Sequence, residues 1–186
     1  MQMEIKKTHL LAISGSLRKA SYNSALLRAA ILLAPEDVEI SLYPDIGMLP
    51  LFNPDLEESE PVSVLDFRAR INSADGLLIA SPEYAHGVSG VIKNALDWVV
   101  SGEEFVDKPV ALFNTSPRAT HAYAALKETI IIMSGRIVDE ASITLPLLGS
   151  NLDEAGIVAH PEISHALYAA LVEFTRAIKT FTAAPN

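Results

Sequence analysis

His9-Leu10-Leu11-Ala12-Ile13-Ser14-Gly15-Ser16-Leu17-Arg18-Lys19-Ala20-Ser21-Tyr22-Asn23 is the stretch on which the fold turns. His9 to Ile13 reads as a buried strand, and Asn23 to Ala34 as a helix that is apolar nearly all round. Between them stand a glycine that permits close backbone approach, the hydroxyls of Ser14, Ser16 and Ser21, the Arg18 guanidinium and the Asn23 amide. A helix N-terminus offers unpaired N–H groups and the positive end of a dipole, which together favour a phosphate dianion. Arg18 would add charge-assisted hydrogen bonds. The segment lacks the Gly-Lys-Ser/Thr ending of a triphosphate loop and is not G-x-G-x-x-G, so a phosphate monoester suits it better. A plainer alternative is that Ser21 or Asn23 caps the helix and Arg18 is solvated.

Outward from this unit, apolar runs alternate with helical patterns. Val38 to Leu42 alternates as a strand, Val62 to Asn72 is amphipathic, and Gly76 to Ala80 is a short continuous apolar run. Val91, Ile92, Ala95, Leu96 and Val99 recur at helical spacing. Val110 to Phe113 reads as another buried strand, Ala119 to Met133 as a helix, and Arg136 to Val138 as a weaker strand. A final helix uses Ile163, Leu167, Leu171, Phe174, Ile178 and Phe181, with Pro161 near its first turn. Continuous apolar strands separated by helices imply a parallel sheet covered on both faces. The expectation is an α/β fold: a doubly wound, three-layer sandwich of five parallel strands in one domain spanning residues 1–186. Two stretches are less regular, Tyr43 to Pro61 with prolines at 44, 50, 54 and 61, and Ser142 to His160. Both are candidates for rims, lids or subunit contacts.

Composition narrows the function. The 186 residues are 49% hydrophobic and 20% charged, as in an ordinary globular protein. There is no cysteine, which removes disulfides, thiolate nucleophiles, iron–sulfur clusters and Cys-type zinc sites. A net charge of −9 with scattered basic residues argues against nucleic acid as a partner. No apolar run approaches the roughly 20 residues of a membrane span, so no membrane partner is expected. The N-terminus carries Glu4, Lys6 and Lys7 but no signal-like apolar stretch, and a cytoplasmic location is expected. His160 and His165 find no companions for a metal site and read as a solvated helix start.

A second motif follows the third strand: Ser81-Pro82-Glu83-Tyr84-Ala85-His86-Gly87-Val88-Ser89-Gly90, then Val91-Ile92-Lys93-Asn94-Ala95-Leu96-Asp97-Trp98. In an open α/β sheet, ligands bind beyond the carboxyl ends of the strands where the strand order reverses. In the order 2-1-3-4-5 that crevice lies between strands 1 and 3, and the two richest loops follow those strands. A loop with a Pro, a Tyr and two Gly can hold backbone amides against a flat polar ring edge. Alternatively, it is an ordinary turn with Tyr84 packed on the surface. Gly87-Val88-Ser89-Gly90 is not a hydrolase elbow, because its second glycine comes one residue early.

Together, Ser14 to Asn23 resembles the GSxRxxSxN signature of the NAD(P)H-dependent FMN reductase family, which includes quinone, chromate and azo reductases. Ser81 to Trp98 resembles that family's SPEYxxxxxGxxKNAxDW signature at every lettered position. The resemblance implies a flavodoxin-like fold with FMN as cofactor and NADPH or NADH as co-substrate. It places Ser16, Arg18, Ser21 and Asn23 on the FMN phosphate. Pro82, Glu83, Tyr84, Ala85, His86 and Gly87 would border the isoalloxazine ring, mostly through the backbone. Two positions depart from the pattern. Ser89 stands where proline is common, and the loop after the fourth strand, usually glycine-bearing, reads Asn114-Thr115-Ser116-Pro117-Arg118. Of that loop Ser116 is counted with the cofactor-binding residues, and Thr115 and Arg118 could meet the flavin or the nicotinamide phosphates. Asn94 and Trp98 read better as packing residues than as ligands.

No protein side chain is expected to be catalytic in its own right, since the flavin carries the chemistry. The partner implied is a small-molecule electron acceptor, such as free flavin, a quinone, an azo compound or a metal oxyanion. The alternative is a flavodoxin-type electron carrier without NAD(P)H activity of its own. A homodimer or homotetramer is also expected, on the resemblance and on the apolar Leu96, Trp98, Val99 and Val100.

Overall fold

A computed structural model describes residues 7–183; Glu4 and Lys6, part of the N-terminal reading, lie outside the described residues. The first strand, β1 (Thr8–Ser14), leads into α1 (Tyr22–Leu32) and β2 (Val38–Leu42). Next come α2 (Val62–Ser73), β3 (Gly76–Ala80), a two-stranded hairpin of β4 (Glu83–Tyr84) and β5 (Gly87–Val88), and α3 (Gly90–Asp97). The chain continues with β6 (Pro109–Asn114), α4 (Thr120–Ile132), β7 (Arg136–Ile137), β8 (Ile143–Thr144), α5 (Glu154–Ala159) and α6 (Pro161–Ala183). Main-sheet order is β2-β1-β3-β6-β7, all parallel, with β8 also pairing parallel to β6. Counting only the five main strands, this is 2-1-3-4-5, the flavodoxin-like order.

Strand periodicity explains the three layers. Along β1, Leu10 and Ala12 join the core cluster on one face, while Leu11 and Ile13 join the other. The same division separates Leu78 and Ala80 from Leu77 and Ile79 in β3, and Ala111 and Phe113 from Val110 and Leu112 in β6. Both faces are buried, so these strands read as unbroken apolar runs. α1 and α6 cover the first face through residues such as Leu26, Leu27, Leu171 and Phe174. α2, α3 and α4 cover the second through Phe67, Ile71, Ile92 and Leu126. Helices change face where the strand order reverses, as a single crossover hand requires. α6 lies directly on β3: a Cβ at Gly76 would stand 2.9 Å from Phe174 Cζ and 2.8 Å from Ile178 Cδ1.

Four features depart from expectation. The last strand position is filled in two pieces, β7 and β8, separated by a short helical turn at Asp139–Ala141. The loop after β3 is itself a hairpin. α3 ends at Asp97, and Leu96, Trp98 and Val99 are buried in the core, leaving Val100 exposed. The apolar helix end is therefore packing within the fold, not spare surface for a partner. Finally, His160 does stand at a helix start, its carbonyl accepting the Ser164 N–H at 2.9 Å where α5 ends and α6 begins, but it is half-buried rather than fully solvated, with Nδ1 buried and unpartnered. Among the described residues no helix is long and apolar enough to cross a membrane.

Candidate active site

The carboxyl ends of β1, β3 and β6 converge on one cavity of about 330 Å³. Of the residues picked out by the sequence, Ser16, Arg18, Ser21, Asn23, Pro82, Glu83, Tyr84 and Ser116 line it. Ala85, His86 and Gly87 do not; they form the turn and return strand of the hairpin. Residues missed by sequence reading also line the cavity, notably Tyr22 and Leu148. Leu148 comes from the irregular stretch after β8, where nothing in its spacing marks it.

The β1–α1 loop is tightly ordered. Gly15 N–H donates to Ala80 O at 2.7 Å, tying the two switch-point strands together. A Cβ at Gly15 would stand 2.5 Å from Ile92 Cγ1, 2.8 Å from Ser81 Oγ and 2.9 Å from Ser89 Oγ. The close approach this glycine permits is thus to the β3 loop and α3. Ser14 Oγ bonds Ser24 Oγ at 2.8 Å, and Ser16 Oγ accepts the Arg18 N–H at 3.4 Å.

Two hydroxyl and amide groups of this loop already have partners. Ser21 is the N-cap of α1, its Oγ accepting the Ser24 N–H at 3.3 Å. Asn23 Oδ1 accepts from Thr115 Oγ1 at 3.2 Å, a buried bond joining the loops after β1 and β6. The first intrahelical bond runs from Ala25 N–H to Ser21 O at 2.8 Å, so the Tyr22 and Asn23 amides precede the helical ladder. Arg18 is exposed at the rim, and among the described residues it makes no ion pair.

The hairpin forms the facing wall. Glu83 pairs with Val88 and Tyr84 with Gly87, which leaves Ala85 and His86 as a two-residue turn. Both have positive φ, 49° and 59°, as the favoured two-residue hairpin turns require. For a non-glycine pair this is a strained conformation that its surroundings must hold in place. α4 supplies the support. The Glu83 carboxylate accepts the Ala122 N–H at 2.8 Å, capping a helix whose own N-cap, Ala119, offers no side chain. His86 stacks on His121 with ring centroids 4.2 Å apart and planes 7° from parallel. Glu83 is therefore turned toward α4, and its backbone is what the hairpin can present to a ligand.

Asn94 and Trp98 fasten a neighbouring loop. Asn94 Oδ1 accepts the Phe52 N–H at 2.8 Å, and its Nδ2 donates to Pro50 O at 2.9 Å. Trp98 Nε1 donates to the same carbonyl at 2.7 Å. Pro50 and Phe52 belong to the proline-rich stretch, which is thus anchored at its middle.

Residues 8–143 match the family model described as NADPH-dependent FMN reductase. An NAD(P)H-dependent FMN reductase of Pseudomonas aeruginosa is 37% identical over 153 residues, which is 79% of this chain and 82% of that protein. An NADPH:quinone oxidoreductase of Arabidopsis thaliana is 49% identical over 110 residues, with 56% of each chain covered. Among solved structures, the flavoenzyme NAD(P)H:(acceptor) oxidoreductase FerB from Paracoccus denitrificans superimposes with a TM-score of 0.84 at 30% identity. The match covers 93% of this chain and 98% of FerB. The chain belongs to the NADPH-dependent FMN reductase family and is an oxidoreductase of that flavin-binding type.

Proposed function

We propose that this chain, acting as a single cytoplasmic domain, binds one FMN in the cavity above β1, β3 and β6. There it catalyses electron transfer from NADPH or NADH to a small-molecule acceptor of the quinone, free-flavin, azo-compound or metal-oxyanion type. The observation that carries this reading is the cavity's polarity. One end has a guanidinium beside the N-terminus of α1, which suits a phosphate. The other has the backbone of a braced hairpin, which suits the polar edge of a flat ring. The volume falls within the usual range of ligand cavities, and the open rim leaves room for a second reactant.

In this assignment Arg18 and the first-turn amides of α1 hold the phosphate. Ser21 acts through its cap, fixing where those amides point, and Asn23 and Thr115 tie the floor. Pro82 to Tyr84 border the ring, while Ala85, His86 and Gly87 set the hairpin's shape. Bound FMN would supply the hydride-accepting and electron-donating chemistry. The protein's share is positioning, which can be worth several kcal/mol. Steady-state oxidation of NADPH and NADH by the FMN-reconstituted protein, over a panel of the four acceptor types, tests the activity. A protein that holds FMN but oxidises neither nicotinamide with any acceptor would be a carrier, not a reductase.

No side chain is assigned a proton-transfer or nucleophilic role. His86→Ala and Tyr84→Phe should therefore keep the rate of flavin reduction within about tenfold of wild type, below the 10²–10⁴ that a general acid contributes. Stopped-flow absorbance of the FMN-loaded variants measures this. A loss beyond about a thousandfold in His86→Ala, with FMN retained, makes that imidazole a chemical participant.

Assembly as a homodimer or homotetramer is part of the proposal. Its support now lies in exposed Leu17, Met48 and Leu51, not in the buried end of α3. A Cβ at Gly47 would stand 2.8 Å from Leu17 Cδ2, so the loops bearing these side chains are neighbours beside the cavity. Sedimentation at micromolar concentration should show a species larger than the 20.0 kDa chain, and a monomer alone refutes the assembly.

A further inference from the structure

The flavin assignment leaves a second guanidinium in the cavity without a task. Arg118 lines the cavity together with Arg18. Among the described residues neither makes an ion pair. Glu83 is the carboxylate lining the same cavity, and it is already held by the Ala122 N–H at 2.8 Å. Two unpaired cations therefore share a site whose cofactor brings a single phosphate. Arg18 stands beside the N-terminus of α1, whereas Arg118 enters from the loop after β6, ahead of α4.

The β6 loop is built to present Arg118 in a fixed place. Asn114 Oδ1 accepts the Ser116 N–H at 3.1 Å, and Ser116 Oγ accepts the Arg118 N–H at 3.3 Å. Pro117 lies between these two side-chain-to-backbone turns and restricts φ. The Ser116 carbonyl in turn accepts the Ala119 N–H at 3.0 Å. Consecutive turns of this kind hold the backbone while leaving the exposed side chain directed by solvent and ligand.

We propose that Arg118 recognises the phosphates of the reduced nicotinamide dinucleotide while Arg18 holds that of FMN. The inference rests on the FMN-reductase reading above and assigns the second substrate's anionic part to a named residue. A dinucleotide carries a pyrophosphate, and NADPH carries a further 2′-phosphate. A guanidinium meets either as a fork of parallel N–H donors. In a chain of net charge −9, an unpaired cation at the cavity rim also offsets repulsion of a polyanionic substrate.

The test uses FMN-loaded wild type and Arg118→Ala in anaerobic stopped-flow reduction, which separates apparent Kd from limiting rate. For NADPH, the apparent Kd should rise by about tenfold or more, with the limiting rate within about twofold, as loss of ground-state binding requires. FMN affinity, measured by fluorescence titration of the apoprotein, should stay within about twofold, since Arg118 is not assigned to the flavin phosphate. If the contact is to the 2′-phosphate, the Kd for NADH is unchanged. If it is to the pyrophosphate, both nicotinamides weaken alike. An unmoved Kd for both nicotinamides, or loss of FMN in place of nicotinamide affinity, overturns the assignment. Failure of both nicotinamides to reduce wild-type holoenzyme would instead sink the reductase reading on which it stands.

Discussion

Trp98→Ala should lower the stability of the protein by about 3–5 kcal/mol, the cost of emptying a large buried aromatic site. Trp98 is fully buried at the end of α3. Its ring meets Phe52 edge-on at 5.1 Å between centroids. Its indole N–H donates to Pro50 O at 2.7 Å, and its own carbonyl accepts from Arg68 Nη1 at 2.9 Å. Arg68 also pairs with Glu60 and Glu104, each at 2.8 Å, so three segments meet here: the proline-rich loop, α2 and the turn after α3. Truncating the indole empties a core site and removes the Phe52 contact and the Pro50 hydrogen bond, while the Arg68 bond to the Trp98 carbonyl is kept. Trp98→Phe separates the contributions, because it keeps most of the ring volume and loses the N–H. Pro50 O still accepts from Asn94 Nδ2 at 2.9 Å, so Phe should cost nearer 1 kcal/mol in hydrogen bonding. Chemical denaturation of the apoprotein gives both values. A Trp98→Ala variant within about 1 kcal/mol of wild type would show that the loop is not hung on this residue.

The same tryptophan shows where sequence reading succeeds and where it stops. Helical spacing correctly placed Val91, Ile92, Ala95 and Leu96 on α3 and favoured packing roles for Asn94 and Trp98. It ran the helix too far, because Trp98 and Val99 continue the apolar pattern after the backbone has left the helix at Asp97. Periodicity reports burial, and burial persists through the turn. That is also why the apolar helix end suggested an interface: one-dimensional spacing cannot distinguish a second core contact from an exposed stripe. β1, β3 and β6 were legible because they are buried on both faces and read as apolar runs, whereas β2 showed itself by alternation, with Glu39 and Ser41 exposed. β8 was not, since two residues carry no period. The β4–β5 hairpin was hidden for a different reason. Its turn is Ala85-His86, without the Asn-Gly or Asp-Gly that usually announces two positive φ angles, and Gly87 stands one place too late. The partners that hold it, Ala122 and His121, lie more than thirty residues away. Around the cavity, the motif residues were legible as types. Their division of labour was legible only in part: Ser21 or Asn23 as cap was open in the sequence, whereas the choice of Ser21, and Asn23 as a tie to Thr115, depend on which groups meet in space.

That division sharpens what Arg18→Ala should do to the apoprotein. Ser21 Oγ accepts the Ser24 N–H and Asn23 Oδ1 accepts from Thr115, and neither bond uses the Ser21 O–H or the Asn23 Nδ2, the neutral donors a phosphate can meet. The charged part of the attraction is left to the early amides of α1, the helix dipole and the Arg18 guanidinium. The dipole amounts to about half a unit charge, whereas Arg18 brings a full charge and a fork of donors. Its removal should weaken FMN binding by about 1.5–3 kcal/mol, roughly 10- to 150-fold. Riboflavin, which has the ring and no phosphate, should bind wild type and Arg18→Ala alike. Arg18→Lys should recover part of the loss, since it keeps the charge and gives up the bidentate geometry. Rising ionic strength should shrink the FMN difference between wild type and Arg18→Ala, because this rim charge is exposed to screening. Fluorescence titration of the apoprotein with both ligands, at low and high salt, reads all of these. Equal FMN affinity in wild type and Arg18→Ala would place the phosphate elsewhere. A parallel loss of riboflavin would mean that Arg18 supports the ring or the loop, leaving the amides of α1 to hold the anion.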